Sequence, residues 1–321
     1  MPISGSGSYV PTMNLFIPHW GDVNAALGAS GPLVLPSGTA VADLTTLRDQ
    51  LEAIAASLQG KLNDTQLASA DVAQKKLALM GRLAEFNRKV RGFLSHTIYA
   101  AALPDVPNAS SAPGIILEAL DDMASLWSKI NAATIPGFTG PLTLLATYPI
   151  ATLNTELAAL KIAYAASQGA NQDLDLERKL RTAAQEKAYA AVRDYRKAVL
   201  GLFAETDPMV LTLPKLSPEP GATPDPVTAN ISWDAPQQKA KLMWPASTDP
   251  NLSHYEVRFC AGPTYSTEDE STLGTIIPAE PREFLTDAGL VTSGDIASFK
   301  VYVVLTTGNE KGSNTVTITR P

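Results

Sequence analysis

"SLQGKLND", residues 57–64, and "ASQGANQD", residues 166–173, stand 109 positions apart in a chain of 321 residues. Each carries a glycine, Gly60 or Gly169, between stretches of helical composition, and each ends on an aspartate, Asp64 or Asp173. Glycine suits the left-handed residue that closes a helix, and aspartate suits the N-cap of the next one. The pair therefore predicts two helical hairpins with their turns at 57–64 and 166–173.

The match continues outward. At the same shift Gly31-Pro32-Leu33 aligns with Gly140-Pro141-Leu142, Leu44 with Leu153, Leu51 with Leu160, and Val90 with Val199. Further upstream, at a shift of 107, Trp20 and Asn24 align with Trp127 and Asn131. Alanine pairs mean little in this chain, but Trp, Asn and an ordered Gly-Pro-Leu rarely coincide by chance. The sequence reads as a tandem duplication, roughly 13–113 and 114–222.

Each copy reads as three helical pieces, at about 18–27, 41–59 and 64–94, and at about 115–133, 150–168 and 173–203. In the third piece Leu79, Leu83, Phe86, Val90 and Phe93 step by 4, 3, 4 and 3, and so do Ala188, Val192, Tyr195, Val199 and Leu202. That period is the seam of a helical bundle. The expected architecture is a pseudo-twofold four-helix core with the tryptophan helices alongside. Trp20 and Trp127 are each expected to plug the core of their own copy, as large aromatics usually do.

Between 206 and 226 the composition changes. Pro208, Pro214, Pro218, Pro220, Pro224 and Pro226 predict a non-helical, semi-stiff spacer. Beyond it the period becomes alternating: "NISW", "KAKLMW", "HYEVRF", "FKVYVV" and "NTVTIT" read as short strands of an all-β sandwich. The expected divisions are an arm at 1–18, helical repeats at 19–113 and 114–205 forming one bundle, a linker at 206–226 and a sandwich at 227–321. The fold class is multidomain α plus β.

"LMWPASTDPNLSHYEVRF" (242–259), then Leu290, "SFKVYVV" (298–304) and "TTGNEKGSN" (306–314) follow one another in an order that resembles a fibronectin type III domain, over about 224–321. The resemblance implies that Trp244 and Pro245 lie on the second strand of the sandwich. It also places Phe299 where the family commonly has a tyrosine, so that residue's corner hydrogen bond is absent. The family's Arg-Gly-Asp triplet is missing as well. The resemblance implies a spacer or binding module rather than catalysis.

Composition excludes several classes. With 25 Lys and Arg against 32 Asp and Glu, the net charge of −7 disfavours a nucleic-acid partner held by phosphate contacts. The single cysteine, Cys260, excludes an intrachain disulfide and a cysteine-rich metal site. No Lys or Arg precedes Arg48, so the basic segment of a secretory signal is missing. No run approaches the roughly 20 apolar residues needed to span a bilayer. The expected location is the cytoplasm, or outside the cell by a route that needs no such signal.

Candidates for chemistry are sparse. His19, His96 and His254 stand alone and read as surface or packing residues, not as a metal site. Glu268, Asp269 and Glu270 are adjacent carboxylates without the spacing of a calcium loop, and read as solvated. No nucleophile or acid–base pair comes with its partners. No cofactor, no metal and no enzymatic activity are expected.

The resulting expectation is a structural or interaction protein, a self-assembling subunit of a filament, sheet or particle that displays the sandwich. The uncharged arm supplies the candidate contacts Tyr9, Val10, Phe16 and Ile17, folded back on its own bundle or laid on a neighbour. The alternative is an adhesin whose sandwich binds a carbohydrate or protein through exposed aromatics, with Tyr265 and Tyr302 as candidates beside Tyr255 and Phe259.

Overall fold

Neither Gly60 nor Gly169 ends a helix. In the computed structural model of the chain, which describes residues 3, 5–218, 221 and 223–321, each lies inside an unbroken helix of 53 residues. These helices are α2 (Val41–Phe93) and α5 (Ile150–Leu202). The expected hairpins and their four-helix core are thereby corrected. The reason is packing and not the glycines themselves, at each of which an added Cβ would meet nothing within 4 Å. Glycine inside a helix costs only about 1 kcal/mol relative to alanine. The apolar stripes on both sides, including Leu58 and Leu174, are buried and outweigh that penalty. The start of α2 does follow its local signal, because the Asp43 carboxylate accepts from the backbone N–H of Ala40 at 2.7 Å.

The chain divides into two packing units, residues 1–63 with 174–321, and residues 64–173. In the first, helix α1 (Tyr9–Leu27) lays Met13, Phe16, Trp20 and Val23 against Leu44 and Leu51 of α2 and against Ala188, Val192, Tyr195 and Val199 of α5. The arm expected at 1–18 thus runs into helix α1 from Tyr9 and lies on its own core, where Met13 and Phe16 are buried. Pro18 sits within α1 without ending it. Met1, Pro2 and Ser4 of the arm, and Glu219, Pro220 and Ala222 of the linker, lie outside the described residues.

The linker is no free spacer either. Pro208 opens a short helix, α6 (Pro208–Leu211), because a proline fits the first helical position; Asp207 caps it by accepting from the Met209 N–H at 2.8 Å. Met209, Val210, Leu213 and Leu216 then pack against the α1–α5 core. The Ile3 N–H donates to the Leu216 carbonyl at 3.0 Å.

The second unit repeats the theme. Helix α4 (Pro113–Ala132) buries Ile116, Leu120, Met123 and Trp127 against Leu79, Leu83, Phe86 and Val90 of α2, and against Leu153, Leu157 and Leu160 of α5. The short α3 (Ile98–Ala101) lies between α2 and α4 in sequence, with Tyr99 and Ala100 on the edge of that core.

The two tryptophans are wholly buried, but each core draws on both halves of the sequence. Trp20 stacks on Tyr195 with centroids 4.4 Å apart, and Trp127 lies 5.5 Å from Phe86. Each indole thus meets an aromatic from the other half, which corrects the expectation that each plugs its own copy. Their polar contacts match. Trp20 Nε1 donates to the Leu33 carbonyl at 3.3 Å, while Asn24 Oδ1 accepts from the Leu33 N–H at 2.8 Å. Trp127 Nε1 donates to the Leu142 carbonyl at 2.9 Å, and Asn131 Oδ1 accepts from the Leu142 N–H at 2.8 Å.

The C-terminal part of the first unit is an antiparallel β-sandwich. One sheet runs β1 (Asn230–Asp234), β2 (Lys239–Met243), β5 (Glu283–Thr286). The other runs β4 (Ser271–Ile276), β3 (Leu252–Ala261), β6 (Ile296–Leu305), β7 (Glu310–Gly312), with β8 (Val316–Thr319) also paired to β6. Strands β4, β5 and β7 carry no clear alternation, and sequence reading passed over them. The core holds Trp244, Tyr255, Val257, Phe259, Leu290, Phe299 and Val301. Phe299 stacks on Phe259 at 6.1 Å, so the aromatic packing at this position needs no hydroxyl. Gly274 is required by its neighbour, since a Cβ there would fall 2.9 Å from the Phe284 ring.

Candidate interaction site where the sandwich meets the helices

Strand β3 is buried on both faces from Tyr255 to Ala261. One face is the sandwich core; the other carries Glu256, Arg258 and Cys260, whose burial requires polar partners. Arg258 is 1% exposed and faces three carboxylates. Its Nη2 donates to Glu256 at 2.7 Å and to Glu310 at 2.6 Å, and its Nη1 donates to Glu270 at 2.8 Å. The guanidinium lies 3.9 Å over the Tyr302 ring. The hydroxyls of Tyr265 and Tyr302 both donate to Glu270 Oε2, at 2.6 and 2.9 Å.

Opposing effects act on these groups. Burial pushes the Glu256 carboxyl upward, but His254 and Arg258 outweigh it and hold the group below its ordinary value. Burial alone, reinforced by the Glu270 charge, pushes both tyrosines well above the usual phenol range. Burial also raises the Cys260 thiol to about 11, which keeps it protonated and inert near neutrality.

Next to this cluster the sandwich is fastened to the helices of its own unit. Gln59, one residue before Gly60, donates from Nε2 to the Asp269 carbonyl at 2.7 Å and accepts at Oε1 from the Ala261 N–H at 2.9 Å. The Asp269 carboxylate, 1% exposed, accepts from Arg178 at 2.6 Å and from Arg181 at 3.2 Å, both on α5. Arg181 also donates to the Glu268 carbonyl. Burial raises the Asp269 carboxyl, and the two guanidinium groups more than reverse this, leaving it below its ordinary value. Of the acidic triplet, Glu268 is exposed as expected, whereas Asp269 is buried as a docking residue and Glu270 is buried on Arg258. The docking role of Asp269 carries no local signal, because the arginines that bind its carboxylate are 88 and 91 residues away.

The sequence candidates fall in different places. Tyr9 and Val10 line a cleft of about 370 Å³ between α1, α2 and β4. Phe16 is fully buried and Ile17 half-buried in the helical core, so Phe16 offers no surface to a partner. Tyr265 and Tyr302 sit together on Glu270, and Tyr302 is 7% exposed. Tyr255 and Phe259 are core residues, so these four aromatics form no exposed strip of the kind an adhesin would use. His19 is a packing residue: Nε2 donates to the Met209 carbonyl at 3.0 Å, and Nδ1 accepts from the Tyr195 hydroxyl at 2.6 Å. Among the described residues no His, Cys, Asp and Glu cluster is disposed to hold a metal ion, and no helix is long and apolar enough to cross a membrane.

No protein-family model matches the chain, and no curated protein matches it. Solved structures do match its C-terminal part. A Fn3-like protein from Clostridium thermocellum is 22% identical with a TM-score of 0.25, covering 31% of this chain and 96% of that one. Pectate lyase PelI from Erwinia chrysanthemi is 22% identical with a TM-score of 0.25, over 29% of this chain and 28% of that one. The Clostridium perfringens spore cortex lytic enzyme SleM is 16% identical with a TM-score of 0.24, over 32% and 29%. The chain thus spans less than a third of the two enzymes' length. The expectation that the chain has no enzymatic activity is corrected by these matches, because the proteins matched through the sandwich include enzymes.

Proposed function

We propose that this chain is a structural, interaction-bearing protein. In this reading a duplicated helical scaffold holds a fibronectin type III-like sandwich in one fixed pose and assembles with further copies of the chain. The observation that carries it is the seam of Gln59, Arg178 and Arg181 with the 261–271 segment. A domain on a free tether needs no buried ion pairs to its neighbour; a presented one does. The duplication is supported by the matched indole and asparagine bonds around Leu33 and Leu142. Assembly is supported by large apolar side chains left exposed on α5, at Leu176, Leu180, Leu200 and Leu202.

The test is light-scattering mass with negative-stain imaging across concentration. Wild type is compared with the L176E/L180E and L200E/L202E variants. Deleting the first 18 residues is unsuitable, since it would remove Met13 and Phe16 from the core. Ordered multimers lost in either variant support the reading. A strict monomer at every concentration overturns it.

A further inference from the structure

The cleft beside the seam has the make-up of a small-ligand site. Tyr9, Val10 and Pro11 of α1, Leu51, Ala55 and Leu58 of α2, and Leu273 and Gly274 of β4 give it apolar walls. Its volume of about 370 Å³ falls in the range that small-molecule pockets occupy, roughly 300–1,000 Å³. A merely structural gap between packed elements would have its buried polar atoms satisfied. Here two are not. Arg181 Nε and Thr272 Oγ1 are buried and have no hydrogen-bond partner among the described residues, and both residues line the cleft. The Thr272 hydroxyl lies toward Gly7, another lining residue, where an added Cβ would come within 3.3 Å of it.

The chemistry of these two atoms restricts the ligand. Arg181 Nε–H only donates, and the threonine hydroxyl donates or accepts, so an oxygen acceptor suits each of them. The charges restrict it further. Arg181 is already paired with Asp269, and Glu270 with Arg258, while the cleft also presents the Glu52 carboxylate. No unshared cation remains among the lining residues to hold an anion. The geometry points to a binding site for a small neutral amphiphile: an aliphatic body in the apolar walls and a carbonyl or hydroxyl oxygen at Thr272 Oγ1, with Arg181 Nε as a further donor.

The test uses the full chain and 2-octanone as the probe, followed by saturation-transfer NMR and titration of protein methyl shifts, with octanoate as the charged counterpart. Binding of 2-octanone is expected, and octanoate is expected to bind at least tenfold more weakly. Ala55→Phe, which fills the cleft, is expected to abolish binding. Thr272→Val, which keeps the shape and removes the hydroxyl, is expected to weaken it about tenfold. Circular dichroism of each variant shows whether it folds, and the near-isosteric Thr272→Val decides the matter if Ala55→Phe does not. No transfer at the solubility limit of the ketone, or unchanged binding in Thr272→Val, overturns the site. Octanoate binding as tightly as the ketone overturns the assignment of a neutral ligand.

Discussion

Gln59 on α2 accepts from the backbone N–H of Ala261 on β3 at 2.9 Å, which lets a helix side chain complete the bonding of a strand. Its other amide atom serves the Asp269 carbonyl. Replacing it by leucine keeps the volume but removes the amide partner of both backbone groups. Each buried polar group left unpaired costs about 1–3 kcal/mol. Gln59→Leu is expected to lower the thermal midpoint and to speed hydrogen exchange at the Ala261 amide. An Ala261 amide as protected as in wild type would contradict the clamp.

Acid is expected to loosen the same seam. The Asp269 and Glu256 carboxyls are held below their ordinary values of 3.8 and 4.5. A group whose folded value is depressed stabilises fully above its unfolded value and loses that contribution as pH falls through the folded one. Urea midpoints should therefore hold steady down to about pH 5 and fall steeply below about pH 4. Asp269→Asn should be less stable at pH 7 and show a shallower acid slope; an unchanged slope would remove Asp269 from the account.

His19 gives a second titration at higher pH. Burial lowers its value below the ordinary 6.5, against the opposing bond to the Met209 carbonyl. Neutral imidazole also fits both contacts, since Nδ1 accepts from Tyr195 while Nε2 donates. The stabilisation is present above 6.5 and is lost as pH falls through the folded value. Tyr195→Phe removes the donor and leaves Nδ1 unpaired, with an expected loss of about 1–3 kcal/mol at pH 7.5. An NMR titration placing His19 above 6.5 would contradict the sign.

Gly60→Ala and Gly169→Ala distinguish the continuous helices from hairpin turns. Both sites have room for a Cβ. Each substitution is expected to stabilise the protein by about 0.5–1 kcal/mol, and destabilisation in denaturant melts would instead mark left-handed turn residues.

These glycines also show where sequence reading stopped. The heptad residues Leu79, Leu83, Phe86 and Val90, and Ala188, Val192, Tyr195 and Val199, are all buried as the period requires. The final members, Phe93 and Leu202, are 72% and 52% exposed, because the helices end there and the seam with them. A glycine followed by an aspartate looks the same in a turn and in a long helix, since tertiary packing decides between them. The strands with strong alternation were legible. The docking role of Asp269 was not, because it depends on arginines distant in sequence.

The first packing unit joins residues 1–63 to residues 174–321 across the segment between them, and that sets an order of events on the ribosome. His19 and its partner Tyr195 are 176 residues apart. At about 5–20 residues per second, α1 waits roughly 10–35 s before its partner strip on α5 is made. During that interval Met13, Phe16 and Trp20 have Leu44 and Leu51 of α2 but lack the α5 strip that completes their cover, while residues 64–173 form a continuous segment able to close first. Helix α1 therefore reaches its full cover only once α5 has been made, after the segment 64–173 that lies between them in the sequence.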